Sequence, residues 1–231
     1  MRGRIRASLS LGLLAFAAAR AEAGAWIAPE GGQVIQTEAL SAPDETPVLE
    51  SQLYLEAPVA ERVSLVARPW LENGQTVGDE GWRAEVEGGV KAALLRTANA
   101  ALAVQASAVW RSDPDLGCGE GAGEVRALGG MSFADGRGFV NAETAARLHD
   151  GGCPAGRVDL TLGYRPAPRW LGMAETFVFA PEGREAAVKA QFSLVRFSER
   201  GSGVQLGVRV RLDGEDAEPA LVLAFWGRPR D

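Results

Sequence analysis

An all-β chain that closes into a single up-and-down antiparallel barrel of about twelve strands, spanning an outer membrane, is the fold this sequence predicts. Three observations predict it. Apolar and polar residues alternate along most of the chain, the period of a strand with two unlike sides, and helical periodicity is nearly absent. The links between alternating runs sort into a short set and a longer, acidic set. The first two dozen residues read as an export signal.

The N-terminus comes first. Arg2, Arg4 and Arg6 precede the apolar segment ASLSLGLLAFAAA, and Ala21-Glu22-Ala23 fits the small-x-small cleavage rule. Residues 1–23 are therefore expected to be a cleaved signal peptide, and residues 24–231 the barrel. The apolar run is too short for a membrane-spanning helix, and no later stretch holds the ~18 consecutive apolar residues that such a helix requires. Removing the segment leaves 20 basic against 29 acidic residues, a formal net charge of −9 in place of −6. An acidic chain without a basic cluster is a poor partner for nucleic acid.

Twelve runs follow, at 31–40, 49–58, 62–72, 81–94, 100–111, 123–133, 138–148, 157–165, 169–180, 186–197, 203–212 and 219–227. The first, GGQVIQTEAL, alternates poorly. In the fourth, Trp82, Ala84, Val86, Gly88 and Val90 oppose Arg83, Glu85, Glu87 and Lys91. The fifth sets Leu102, Val104, Ala106 and Ala108 against Gln105 and Ser107. The eighth sets Val158, Leu160, Leu162 and Tyr164 against Asp159, Thr161 and Gly163. The eleventh sets Val204, Leu206, Val208 and Val210 against Gln205, Arg209 and Arg211. The ninth, WLGMAETFVF, resists: Glu175 shares a side with Leu171, Met173, Phe177 and Phe179, so either a bulge re-aims it or the register differs there.

Such faces suit a soluble sandwich with a solvated surface, or a barrel with apolar sides in lipid and charged sides in a wet lumen. The apolar sides of twelve strands, several dominated by Ala and Gly, fill one interior badly, and the barrel avoids that problem. The short links (VAER, RTANA, ADGRG, RPAPR, SERGSG) then lie at the periplasmic rim with both termini, and the longer ones at the outer rim.

Two features test this layout. Cys118 and Cys153, the only cysteines, fall in neighbouring outer loops and are expected to form a disulfide, given a hairpin between strands six and seven. The tryptophans fall near strand ends: Trp70, Trp82 and Trp110 toward the outer rim, Trp26, Trp170 and Trp226 toward the periplasmic rim, with Phe133, Tyr164, Phe197 and Phe179 beside them. Such belts match the aromatic girdles of membrane barrels, although Trp70 has inward parity.

The lumen-facing set on this register contains Arg68, Arg83, Lys91, Arg126, Arg147, Lys189, Arg209 and Arg211 with Glu85, Glu87, Glu143 and Asp159, an excess of four positive charges. A basic lining focuses field on anions, and arginines match carboxylates and phosphates, so these eight cations are candidates for anion binding. Equally, charges of both signs can pair across strands and close a lumen of this size.

The start GAWIAPEGGQVIQ and the unit LYLEAPVAERVSLVARPWLE resemble small outer-membrane barrels of proteobacteria. The run GAW followed by P-x-G-G-Q, within residues 24–35, is most similar to XagA-type proteins associated with exopolysaccharide and adhesion clusters. The resemblance implies a whole-chain barrel in polysaccharide export, or in anchoring a secretion or adhesion complex; it brings no catalytic residues. Many such barrels end on an aromatic residue, for which Phe225 and Trp226 are the candidates here.

Enzyme chemistry finds no support. His149, the sole histidine, lies in an HDGG loop with no G-x-S-x-G motif, and reads as a solvated loop residue. Glu85 and Glu87 sit between Arg83 and Lys91, an ion-pair ladder rather than an acid–base couple. Metal-ligand spacings and phosphate-binding glycine loops are absent, so neither a metal nor another cofactor is expected. The expected partners are outer-membrane lipid and lipopolysaccharide, with an anionic saccharide or secretion partners, around a monomer in the outer membrane of a Gram-negative cell. The readings that stand are a barrel passing or binding a small anion, a non-conducting structural barrel, and a soluble periplasmic binding protein.

Overall fold

The computed structural model describes residues 25–42, 46–74, 81–112, 118–181, 185–213 and 218–227, so the expected signal peptide lies outside the described residues. Twelve strands follow one another: β1 Gln33–Ser41, β2 Val48–Ala60, β3 Val63–Gly74, β4 Trp82–Arg96, β5 Ala100–Arg111 and β6 Gly121–Phe133. They continue with β7 Gly138–His149, β8 Pro154–Ala167, β9 Trp170–Pro181, β10 Ala187–Phe197, β11 Gly203–Arg211 and β12 Glu218–Gly227. Every expected run is a strand, with ends displaced by no more than the three residues at Pro154.

Each strand pairs antiparallel with its chain neighbours, and β1 pairs with β12, closing the barrel. Closure removes both sheet edges, so every ladder has a partner. The β6–β7 hairpin turns through Ala134, Asp135 and Gly136, all in the left-handed region, where Gly136 is the residue that adopts φ 80° without strain. Register shifts at Pro58/Ala60, Ala93/Leu95 and Tyr164/Ala167 all fall near the short-turn rim. Both ends of the barrel, Gln33 and Gly227, sit at that rim.

The wall is two-sided as the alternation requires. On β5, Leu102, Val104 and Trp110 face outward while Ala101, Ala103, Gln105 and Val109 are buried inside. Phe192, Met131 and Val125, each more than 60% exposed, show the outer face for what it is: apolar area that no described residue of this chain covers. β1 alternates poorly because its outer face is polar in the middle: Gln36 Nε2 and Ser51 Oγ both donate to Glu38 Oε1 at 2.9 Å.

On β9, neither a bulge nor a slip is present around Glu175. The whole odd-numbered face of the strand turns inward, burying Leu171 and Met173 and lining the lumen with Glu175, Phe177 and Phe179, while Trp170 faces out. A strand with apolar residues on its lumen side reverses the parity expected from hydrophobicity alone.

Candidate functional site

The lumen divides into two halves. Its short-turn half is mostly filled, first by residues 25–28. Ala25, Trp26, Ile27 and Ala28 are all buried inside the barrel, and Ala25 and Trp26 pack on Ala101, Ala103 and Leu128. Trp26 lies so close to β6 that a Cβ on Gly130 would stand 2.2 Å from its ring. The segment has no ladder to join, so its backbone groups need side-chain partners. Ala25 N–H donates to Asn141 Oδ1 (3.1 Å), and Ala28 N–H to Glu56 Oε1 (2.9 Å). Lys91 Nζ donates to the Trp26 carbonyl and to Glu56 Oε2, both at 2.7 Å. Tyr54 also donates to Glu56. The other side of this half holds an apolar cluster of Phe139, Leu171, Met173 and Val195, capped by Phe197 and Trp226 in a T-shaped pair at 5.9 Å.

A chamber of about 920 Å³ occupies the long-loop half and runs down one side to Gln33, Ile35, Gln205 and Trp226 near the short-turn rim, within the range of small-molecule sites. One wall, built by β3 to β8, carries a dense ion-pair network. Arg126 reaches Glu124 (2.5 Å), Glu143 (3.0 Å) and Glu87 (3.4 Å). Arg147 grips both oxygens of Glu85 at 2.8 and 2.9 Å and donates to Glu124 at 2.9 Å. Arg157 pairs with Asp159, and Arg111 with Glu85 at 3.5 Å. The opposite wall is sparser: Arg209 reaches Glu50 (2.9 Å) and Gln191 (2.9 Å), Lys189 reaches Glu50 (3.4 Å), and Gln191 donates to Glu175 (2.7 Å).

Three arginines of the chamber lie over aromatic rings: Arg68 over Tyr54 at 5.0 Å, Arg83 over Trp70 at 5.6 Å and Arg209 over Phe177 at 5.6 Å. Arg68 is the most loosely held of them. Its nearest carboxylates, Glu87 and Glu143, are 3.9 Å away, and its Nε has no hydrogen-bond partner among the described residues. At the mouth Arg83 pairs with Glu72 (2.5 Å) and Arg211 with Asp213 (2.9 Å), and the Arg211 guanidinium holds the Asp213 carboxyl below its ordinary range.

The eight candidate cations all point inward, but not to one use. Arg68, Arg83, Arg147, Lys189, Arg209 and Arg211 line the chamber; Lys91 and Arg126 are fully buried in ion pairs and face no solute. The expected positive excess is also corrected. The described chamber lining holds nine carboxylates against eight cations, because Glu50, Glu72, Glu175, Glu185 and Asp213 join the acids, and Arg111 and Arg157 the bases. The alternation of VLESQLYLE, with Glu50, Gln52, Tyr54 and Glu56 on one side, already carried part of that signal.

Among the aromatic residues, Trp82, Trp110 and Trp170 stand on the outer face as a girdle requires. Trp70 and Trp226 do not: Trp70 lines the chamber under Arg83, and Trp226 turns inward to donate to Gln205 Oε1 (2.7 Å). Trp26, Phe179 and Phe197 are likewise interior, whereas Phe133 and Tyr164 face out. Inward parity outweighs nearness to a strand end. Cys118 and Cys153 are joined, their Cα atoms 5.8 Å apart. Gly119 N–H donates to Asp150 O, and Asp150 N–H to Gly121 O, so the bridge sits in a hydrogen-bonded corner. His149 is no solvated loop residue: it ends β7, buried. Among the described residues no group of His, Cys, Asp and Glu is arranged to hold a metal.

No family model matches the chain, and no curated protein matches it. Solved structures do. The chain is similar to a KdgM porin, at 8% identity over 84% of this chain and 97% of that one, with a TM-score of 0.60. The KdgM porin is also known in complex with disordered oligogalacturonate. An outer-membrane channel from Pseudomonas putida F1 aligns over 86% of this chain and 95% of its own, at 12% identity and a TM-score of 0.60. A NanC porin aligns over 84% and 98%, at 10% identity and a TM-score of 0.58. At such identities the likeness is one of fold: the architecture is that of outer-membrane porins and channels.

Proposed function

We propose that this chain, exported by residues 1–23 and folded in the outer membrane of a Gram-negative cell, binds and passes a small anionic solute, an acidic saccharide above all. The observation that carries the reading is the chamber ringed by Arg68, Arg83 and Arg209, each backed by an aromatic ring. A guanidinium matches a carboxylate, and a ring face offers the apolar surface that a sugar's C–H groups seek. The near-balance of charge suits a site that must also let go: an arginine paired to a carboxylate at 3.9 Å exchanges partners at less cost than a bare cation releases an anion. The oligogalacturonate held by the KdgM porin supports the solute class. The resemblance of residues 24–35 to XagA-type proteins supports an exopolysaccharide as its source and export as its direction.

The filled short-turn half favours a second reading, a barrel that does not conduct and serves a secretion or adhesion complex. Single-channel recording of the refolded chain across a salt gradient separates the two. Discrete current with an anion-directed reversal potential, blocked by trigalacturonate, is the expected result. Stable insertion without current in the full chain and in a variant lacking residues 24–32 overturns it in favour of the structural barrel.

A further inference from the structure

A second cavity of about 590 Å³ notches the short-turn rim where β10, β11, β12 and β1 end. Its floor is mostly apolar, with Val34, Val204 and Phe225 on the lipid-facing side of the wall and Gln36 beside Phe225. Gly227, on the outer face opposite Val34, leaves the wall recessed here for want of a side chain. The upper lip is polar and fixed. Phe197 N–H donates to the Arg169 carbonyl (2.8 Å), tying the β8–β9 turn to the end of β10. Ser198 N–H donates to the Ser202 carbonyl (2.7 Å), and their hydroxyls lie 2.9 Å apart on the same lip.

The lip is also cationic. Arg196 is laid over the Trp170 ring at 5.6 Å, which holds its charge at the level of the girdle, and it meets no carboxylate among the described residues. Arg169 pairs with Glu199 at 2.6 Å, but both side chains are more than half exposed, so water and salt weaken the pair and leave Arg169 able to exchange it. Fixed cations and hydroxyls above an apolar groove, at the level where a bilayer passes from headgroup to hydrocarbon, complement one kind of molecule.

We propose that this notch holds an anionic phospholipid of the periplasmic leaflet, its phosphate on Arg169 and Arg196 and one acyl chain along Val34, Val204 and Phe225. The assignment rests on the membrane-embedded reading given above. The bound lipid fills the recess beside the β1–β12 closure, where the strands are shortest, nine residues in β1 and β11 and ten in β12.

Native mass spectrometry of the folded chain, titrated with phosphatidylglycerol or phosphatidylcholine in detergent, tests the site. Phosphatidylglycerol is expected to remain bound, with about tenfold weaker retention in the Arg169→Gln/Arg196→Gln variant and in Val204→Trp, which blocks the floor and keeps both arginines. Retention unchanged in both variants overturns the proposal. So does loss of retention on adding inorganic phosphate at millimolar concentration with Val204→Trp still binding, which assigns a free-phosphate site. Heat-modifiable migration after vesicle insertion separates the failures: a chain that never inserts sinks the membrane reading, whereas one that inserts and retains no lipid sinks only this site.

Discussion

The two halves of the lumen are built from the same twelve strands and use charge for opposite ends. In the short-turn half, Lys91 and Glu56 spend their hydrogen bonds on the backbone of residues 25–28, and apolar residues fill the remaining space. In the long-loop half the arginines and carboxylates stay on the wall, bonded to each other, and leave a chamber between them. A charged residue inside a barrel is therefore no sign of a conduit. What matters is whether its partner belongs to the wall or to something placed across it.

The largest test of that contrast is Lys91→Met. It leaves Glu56 buried without its cation and frees the Trp26 carbonyl, at a cost of about 3–5 kcal/mol. Urea unfolding from lipid vesicles is expected to show the loss, and single-channel recording a larger or less stable current. Adding Glu56→Gln removes the orphaned charge and should recover a good part of the stability, but not the seating of residues 25–28. A single variant as stable and as conducting as the parent shows that these bonds do not hold the segment. Next comes Cys118→Ser with Cys153→Ser, which releases a link closing 35 residues, worth about 2–4 kcal/mol. Here the current is expected to match the parent, because the bridge lies at the outer rim and touches neither the filled half nor the chamber lining.

The strands and their closure were legible because a period of two survives in nearly every run, and the β6–β7 turn was legible in Asp135-Gly136. The disulfide followed from two cysteines in an exported chain whose loops the β6–β7 hairpin returns to one rim. The filling of the lumen was not legible. Residues 25–28 belong to no strand, and what marks their role, a lysine and a glutamate on β4 and β2, lies far away in sequence. The motif GAW within residues 24–35 drew attention as a resemblance, with Trp26 read as a girdle residue; its indole instead occupies the space that Gly130 leaves. β9 misled for a related reason. Hydrophobic parity assigns apolar residues to lipid, but a lumen that is packed rather than wet takes them too, as Leu171 and Met173 show.

Gly130→Ala tests that fit with a smaller effect. A methyl group at 2.2 Å from the Trp26 ring forces the indole to move, costing about 1–3 kcal/mol. Trp26 fluorescence is expected to shift with it. Gly129→Ala, one residue along on the outer face with nothing near its Cβ, is the matched control and should be close to neutral.

The smallest expected effect on stability falls in the chamber, at Arg83→Gln. Arg83 is two-fifths exposed and pairs with Glu72 at the mouth, an interaction worth about 0–1 kcal/mol. Its removal should leave urea unfolding almost unmoved. The described chamber lining, however, holds nine carboxylates against eight cations, so the loss of one guanidinium deepens the negative balance and uncovers Glu72 beside Trp70. Block by trigalacturonate is expected to weaken several-fold and the reversal potential to move toward cations. If block is unchanged while Arg68→Gln abolishes it, recognition lies deeper, at the arginine whose Nε has no partner among the described residues, and the mouth only admits the solute. If both variants block as the parent does, the arginines are structural in the outer half as well, and the contrast between the two halves is one of packing rather than of use.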